Sequence, residues 1–271
     1  MTLYWEQHAP TTADPDRIGY AIHALADFWA NLNVADVKAE TCRRYAKTRG
    51  AAESTVRREL GCLQAAINFA HREGALTQTR QVTLPKRTQP RERWLSRSEA
   101  ARLLQAARRE KHLARFILIA IYTGTRKDAI LNLQWQPNTD GGHIDLETGV
   151  LYRRSAFASV TSKRQPPARL PKKLVTMLRR WRAVSGTHVI EHKGEPVKAI
   201  KRSWRTALVR SGISPATPHD LRRTSITWTM QRGVQLSDAA GFYGVTVAEL
   251  ERTYFVHHPD FQSSVLAIHG G

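Results

Sequence analysis

The sequence predicts a mainly α-helical protein with a small antiparallel β-sheet, built as a helical N-terminal module followed by a mixed α+β domain. Three observations predict it. Apolar residues recur at helical spacing through roughly the first ninety positions. A charged, proline-punctuated stretch, "LPKRTQPRERW", then interrupts the pattern. Between later helical stretches lies one β-prone patch, "GGHIDLETGVLYRRSAFASVTSKRQPPARLP", with paired glycines and Pro166-Pro167.

In the first module, Ile18, Ile22, Leu25, Phe28 and Trp29 fall on one helical face after the turn "TADPD". "VADVKAETCRRYAKTRG" reads as a second, basic helix ending at Gly50. A third begins near Ser54, carries Val56, Leu60, Leu63, Ile67 and Ala70 on one side, and closes at Gly74. These stripes are expected to form core. The outer faces carry Arg43, Arg44, Lys47, Arg49, Arg57 and Arg58, better placed for phosphate contacts. Residues 1–83 are therefore expected to form one domain and 84–94 a basic linker, with Lys86 and Arg87 able to lie along DNA or simply in solvent.

The second domain, 95–271, opens with a capping box between Ser96 and Glu99. "FILIAIY" is far shorter than the roughly 20 residues a bilayer requires, so it reads as a buried helix. After the β-prone patch, helices resume at "KKLVTMLRRWRAV", "KAIKRSWRTALVRSG", "HDLRRTSITWTMQRG", "SDAAGFYG" and "VAELERTY". Trp135, Trp204 and Trp228 read most simply as packing residues.

Charge narrows the function. Against 42 Lys+Arg the 271-residue chain sets 23 Asp+Glu, a net +19, while 41% of residues are hydrophobic. A folded chain this basic favours a polyanion, nucleic acid first and an anionic membrane surface second. The N-terminal stretch resembles no signal peptide. Cys42 and Cys62 fit neither a metal spacing nor a disulfide framework, so a reducing cytosol is expected.

Three stretches of the second domain set a basic residue at a turn, hairpin or helix start, and a fourth carries a tyrosine. Arg126 follows Gly124 in "YTGTRKDAILNLQW". Lys163 lies in "TSKRQPP" on the expected hairpin, with Arg164 as the neighbouring alternative. His219 and Arg222 lie in "PHDLRRT", three apart on a helix opened by Pro218. Tyr254 comes last, on a short helix. Together they suit phosphodiester cleavage without a metal. Two arginines clamp the phosphorane, histidine and lysine move protons, and tyrosine forms a covalent ester.

"TGTRKDAILNLQW", "HDLRRTSITW" and "ERTY", in this order, resemble the tyrosine recombinases, or phage-type integrases, from about Leu95 to Asp260. The resemblance implies a core-binding (SAM-like) domain at the N-terminus and a catalytic domain of the recombinase type. It places the catalytic set on Arg126, Lys163, His219, Arg222 and the nucleophile Tyr254. It also implies a 3′-phosphotyrosine intermediate without ATP, metal or other cofactor. Expected partners are double-stranded DNA and three further copies on two duplexes, with a monomer off DNA and no membrane. The expected location is the bacterial cytoplasm, with the nucleoid. A catalytically silent DNA-binding regulator and a type IB topoisomerase-like enzyme are the rival readings.

Two positions depart from the family pattern. Val245 follows Gly244 where a His or Trp usually stands, nine residues before the nucleophile; His257 or His258 is a candidate substitute donor. Ala129 stands three positions after the first arginine, where an acidic residue commonly orients the active site, and the adjacent Asp128 is expected to point elsewhere on the helix.

Overall fold

A computed structural model describes residues 1–88, 93–158 and 164–253. It divides into two compact units, Met1–Arg91 and Glu92–Gly271, and the division falls within the 84–94 segment.

The first unit is helical: α1 (Thr2–Gln7), α2 (Pro15–Trp29), α3 (Ala39–Arg49) and α4 (Glu53–Arg72). Helix α2 starts where expected, because the Asp14 carboxylate accepts the Arg17 N–H at 3.3 Å and Pro15 occupies the first turn. Leu25 and Trp29 of α2 bury against Tyr45, Val56, Leu60, Leu63 and Ile67. Ile18 and Ile22 pack instead beside Tyr4, Ala66 and Phe69. The second helix begins later than the sequence suggests. Val34–Asp36 is a separate 3₁₀ turn, closed when the Asn33 N–H donates to the Asp36 carboxylate at 2.8 Å, and Val37 is extended. Helix α3 ends at Gly50, whose φ of 59° is the left-handed conformation that terminates helices.

The second unit contains α5 (Arg97–Ala106), α6 (Lys111–Thr123), α7 (Lys127–Leu131), β1 (His143–Asp145), β2 (Val150–Tyr152) and β3 (Ala168–Arg169). It continues with α8 (Lys172–Arg182), β4 (Glu191–His192), β5 (Glu195–Pro196), α9 (Lys201–Ser211), α10 (Pro218–Met230), α11 (Leu236–Tyr243) and α12 (Val247–Thr253). The Ser96 and Glu99 capping box forms as read from sequence, and Arg93 adds an ion pair to Glu99 at 2.6 Å. Helix α6 is the centre of the core, with Leu113, Phe116, Ile117, Ile119 and Ala120 all buried. Helix α10 packs along it. Trp204 is buried and donates through Nε1 to the Ala216 carbonyl at 2.9 Å.

The β-prone patch forms a three-stranded antiparallel sheet in the order β1-β2-β3. Leu151 pairs with Ile144 on one side and Ala168 on the other. The β1–β2 turn is stapled by Asp145, which accepts the N–H groups of Glu147 and Thr148. A second hairpin, β4–β5, was not anticipated. Its two-residue turn, Lys193-Gly194, has both φ angles positive, 55° and 84°, the geometry that suits a hairpin's twist. Among the described residues no helix is long and apolar enough to cross a membrane.

Candidate active site

The site is assembled around the C-terminus of α6. The sequence "TGTR" ends that helix in a defined way. The Thr123 hydroxyl donates to the Ile119 carbonyl at 2.7 Å and lies 2.7 Å from the Thr125 hydroxyl. Gly124 takes a left-handed φ of 59°. The chain then re-enters a helix, with Arg126 at the N-cap of α7. This abrupt turn leaves Arg126 half-buried, and its Nη1 donates to the Arg164 carbonyl at 2.9 Å, on the stretch leading into β3.

Helix α10 delivers the second basic pair. Pro218 fills its first turn, and the Asp220 carboxylate accepts both the N–H and the hydroxyl of Thr217, at 2.7 and 2.9 Å. One turn on, Arg222 is only 4% exposed. Its Nη1 donates to the Gly124 carbonyl at 2.6 Å and its Nη2 to the Tyr243 carbonyl at 2.7 Å. The guanidinium is thereby locked between the ends of α6 and α11. His219 lies toward solvent, yet protein packed on one side of the ring lowers its pKa. The nearby Arg222, Arg223 and Arg126 charges lower it further, so the neutral imidazole is favoured. The influence of Arg126 also means that this residue, distant in sequence, shares a neighbourhood with His219 and Arg222.

Sequence reasoning missed Arg153. It lies just past β2, 3% exposed, beside an adjacent arginine that gave no clue to its role. Its Nε donates to the Thr125 hydroxyl at 3.0 Å and its Nη2 to the Thr123 carbonyl at 3.0 Å. Nη1 donates to the carbonyls of Phe242, at 2.9 Å, and Pro166. Burial, and next the Arg222 charge, bring its pKa down to about 10, which leaves it charged at neutral pH.

The two departures behave differently. Asp128 does point away: its side chain is 82% exposed and pairs with Lys127 at 3.1 Å. Val245 is 6% exposed and packs with Ile226, Met230, Ala240 and Leu250. It borders a cavity of about 890 Å³ that Arg153, Arg154, Arg164 and Gln165 also line. Gly244 before it has φ 63°, and a Cβ there would meet Pro166 Cδ at 2.5 Å and the Arg164 carbonyl oxygen at 2.7 Å, so the α11 end packs closely against the stretch leading into β3. Lys163, Tyr254, His257 and His258 lie outside the described residues.

In the first unit, Arg43, Arg44, Lys47 and Arg58 are exposed on α3 and α4, and Lys86 and Arg87 on the segment after them. Arg44 sits over the Phe28 ring at 5.4 Å. Arg57 donates to the Pro85 carbonyl and so ties that segment down. Arg49 is committed elsewhere, to an ion pair at 3.1 Å with Glu59, which is 2% exposed and also accepts from the Tyr45 hydroxyl. Among the described residues no three His, Cys, Asp or Glu side chains gather as metal ligands would.

The model of the phage integrase family matches residues 93–258. The integrase of Salmonella phage P22 is 27% identical over 234 residues, covering 79% of this chain and 58% of that protein; the chain thus spans little more than half the length of that relative. Two solved structures share the fold. A Tn1549 transposon integrase variant in complex with a circular intermediate DNA gives a TM-score of 0.73 at 15% identity, covering 99% of this chain and 98% of that one. A lambda integrase tetramer bound to a Holliday junction gives 0.67 at 19%, covering 90% and 76%.

Proposed function

This chain belongs to the phage integrase family, and we propose that it is a site-specific DNA recombinase that breaks and rejoins strands through a 3′-phosphotyrosine. The observation that carries the reading is the placement of Arg222. It is buried and held by two backbone carbonyls, and its charge, like that of Arg126, is felt at the His219 ring. Fixed cations of this kind stabilise a phosphorane because they need no rearrangement as charge develops.

In this mechanism Tyr254 attacks the scissile phosphate. The new Tyr Oη–P bond forms as the bond to the 5′-oxygen breaks, leaving a free 5′-hydroxyl. Arg126 and Arg222 hold the non-bridging oxygens. His219, largely neutral near pH 7, accepts the tyrosine proton, and Lys163 protonates the departing 5′-oxygen. Attack by a 5′-hydroxyl of the partner duplex reverses the step and exchanges strands. The ester conserves the bond energy, so neither ATP nor a divalent metal is required.

Residues 1–83 act as the core-binding domain and 84–94 as a basic linker to the catalytic domain. Arg43, Arg44, Lys47, Arg57, Arg58, Lys86 and Arg87 contact phosphates of double-stranded DNA. Four protomers assemble on two duplexes, in the bacterial cytoplasm at the nucleoid. A second reading, a DNA-binding regulator of reduced activity, is favoured by one observation: Val245 sits in apolar packing and offers no donor.

The test is a nicked suicide substrate drawn from DNA flanking the chain's own coding region, incubated with EDTA and without ATP. A covalent adduct that Arg222→Ala abolishes while leaving DNA binding intact supports the recombinase. Binding with no adduct on any site favours the regulator.

A further inference from the structure

We propose that Arg153 is a positioning residue of the phosphate clamp, fixing the backbone stretches from which Arg126 and Arg222 act. The proposal rests on the recombinase reading above and adds a member to its machinery.

The geometry is an interleaving of two guanidinium groups. Arg222 holds the carbonyls of Gly124 and Tyr243. Arg153 holds the carbonyls immediately before them, Thr123 and Phe242. Each arginine therefore bridges the same two helix ends, one residue apart. Neither α6 nor α11 can shift at its C-terminus without stretching bonds to both. Arg153 also reaches two further points. Its Nε fixes the Thr125 hydroxyl, next to Arg126 in sequence. Its Nη1 reaches the Pro166 carbonyl, two residues beyond Arg164, the residue whose carbonyl takes Arg126 Nη1. The three backbone stretches that present Arg126, the hairpin and Gly244-Val245 thus meet at one side chain.

Charge makes this arrangement more than packing. A buried guanidinium is costly unless its donors are satisfied. Here the acceptors are neutral: three carbonyls and a hydroxyl. None of the ion pairs among the described residues includes Arg153. Helices α6 and α11 both turn their C-terminal ends toward it, where carbonyl dipoles favour a cation. Arg153 orients by sharing carbonyls, and it leaves the neighbourhood more positive. At position 129 the chain has alanine, and Asp128 is turned to solvent against Lys127.

The test uses the full chain with Arg153→Gln and Arg153→Lys. DNA affinity, thermal unfolding and the single-turnover rate of adduct formation are measured for each. The cleavage assay is run on two suicide substrates, one with a normal scissile phosphate and one with a neutral methylphosphonate there. Arg153→Gln is expected to slow cleavage of the phosphodiester by about 100-fold, the scale of a clamp misplaced by an ångström. DNA affinity should be unchanged, and Arg153→Lys should recover part of the rate. On the methylphosphonate, which has one fewer charge for the clamp to meet, the defect should shrink markedly. Equal rates for variants and wild type on the phosphodiester overturn the assignment. So does a defect of the same size on both substrates, which marks a packing residue. If Arg153→Gln does not fold, Arg153→Lys decides by the same comparison. Absence of any wild-type adduct on either substrate is a separate result: it overturns the recombinase reading and this assignment with it.

Discussion

Gly124 leaves the space that the Tyr243 ring occupies: a Cβ on the glycine would lie 2.5 Å from the tyrosine Cε1. The ring cannot retreat, because its hydroxyl is anchored at the other end by Ser225 and Thr229. The left-handed φ of 59° at Gly124 adds a second reason for glycine. Gly124→Ala is therefore expected to cost about 2–4 kcal/mol. It should also displace the carbonyl that Arg222 holds, so cleavage falls further than stability alone explains. Chemical denaturation and single-turnover cleavage on the same preparation check both parts.

Tyr243 and Tyr254 should separate cleanly. The Tyr243 hydroxyl lies 2.7 Å from the Thr229 hydroxyl and donates to the Ser225 carbonyl at 3.1 Å, so it is a buried structural group. Tyr243→Phe is expected to lose about 1 kcal/mol of stability and to cleave DNA at the wild-type rate. A denaturation curve beside a cleavage time course tests this. Loss of the adduct would contradict it.

Much of this fold was legible because its signals are local. Ser96 with Glu99, Pro218 and Gly50 set helix ends within a few residues of themselves. "FILIAIY" could only be buried. What could not be read depends on partners far apart in the chain. Arg49 resembled its basic neighbours, yet Glu59, ten residues away on another helix, takes its charge. Arg153 stood in an unremarkable "RR" pair, and its acceptors come from positions 123, 125, 166 and 242. The start of α3 was misjudged because the reciprocal bonding of Asn33 and Asp36 closes a short turn first. Motif spacing singled out Arg126, His219 and Arg222, and the fold brings them into one neighbourhood. The roles assigned to Lys163 and Tyr254 rest on sequence.

Acid should weaken the entrance to the second unit. Arg93 beside Glu99, with the Ser96 N–H, holds that carboxyl down to about 2 from an ordinary 4.5. A depressed carboxylate contributes stability that is present above the ordinary value and is lost as pH falls toward the folded one. Glu99→Gln should cost about 1–2 kcal/mol at pH 7. The gap between wild type and variant should close between pH 4.5 and about 2. Urea denaturation across that range measures it; a gap independent of pH would assign Glu99's contribution to its capping geometry alone.

Val245 offers a gain-of-function test. It packs beside Gly244 and lines the same cavity as Arg153 and Arg164. Val245→His should lower stability by about 1–2 kcal/mol, through lost packing with Ile226 and Leu250, while placing a hydrogen-bond donor near the clamp. Single-turnover cleavage at pH 7 is expected to rise above wild type. An unchanged rate would mean that another group already supplies the donor.

The central claim is that Tyr254 becomes covalently joined to a 3′-phosphate. Its most direct test is mass spectrometry of the protein–DNA adduct trapped on a suicide substrate, after nuclease and protease digestion. The account predicts a phosphonucleotide on the peptide containing Tyr254 and no adduct from Tyr254→Phe, which should still bind the same DNA. An adduct on any other residue, or one that persists in Tyr254→Phe, would contradict it.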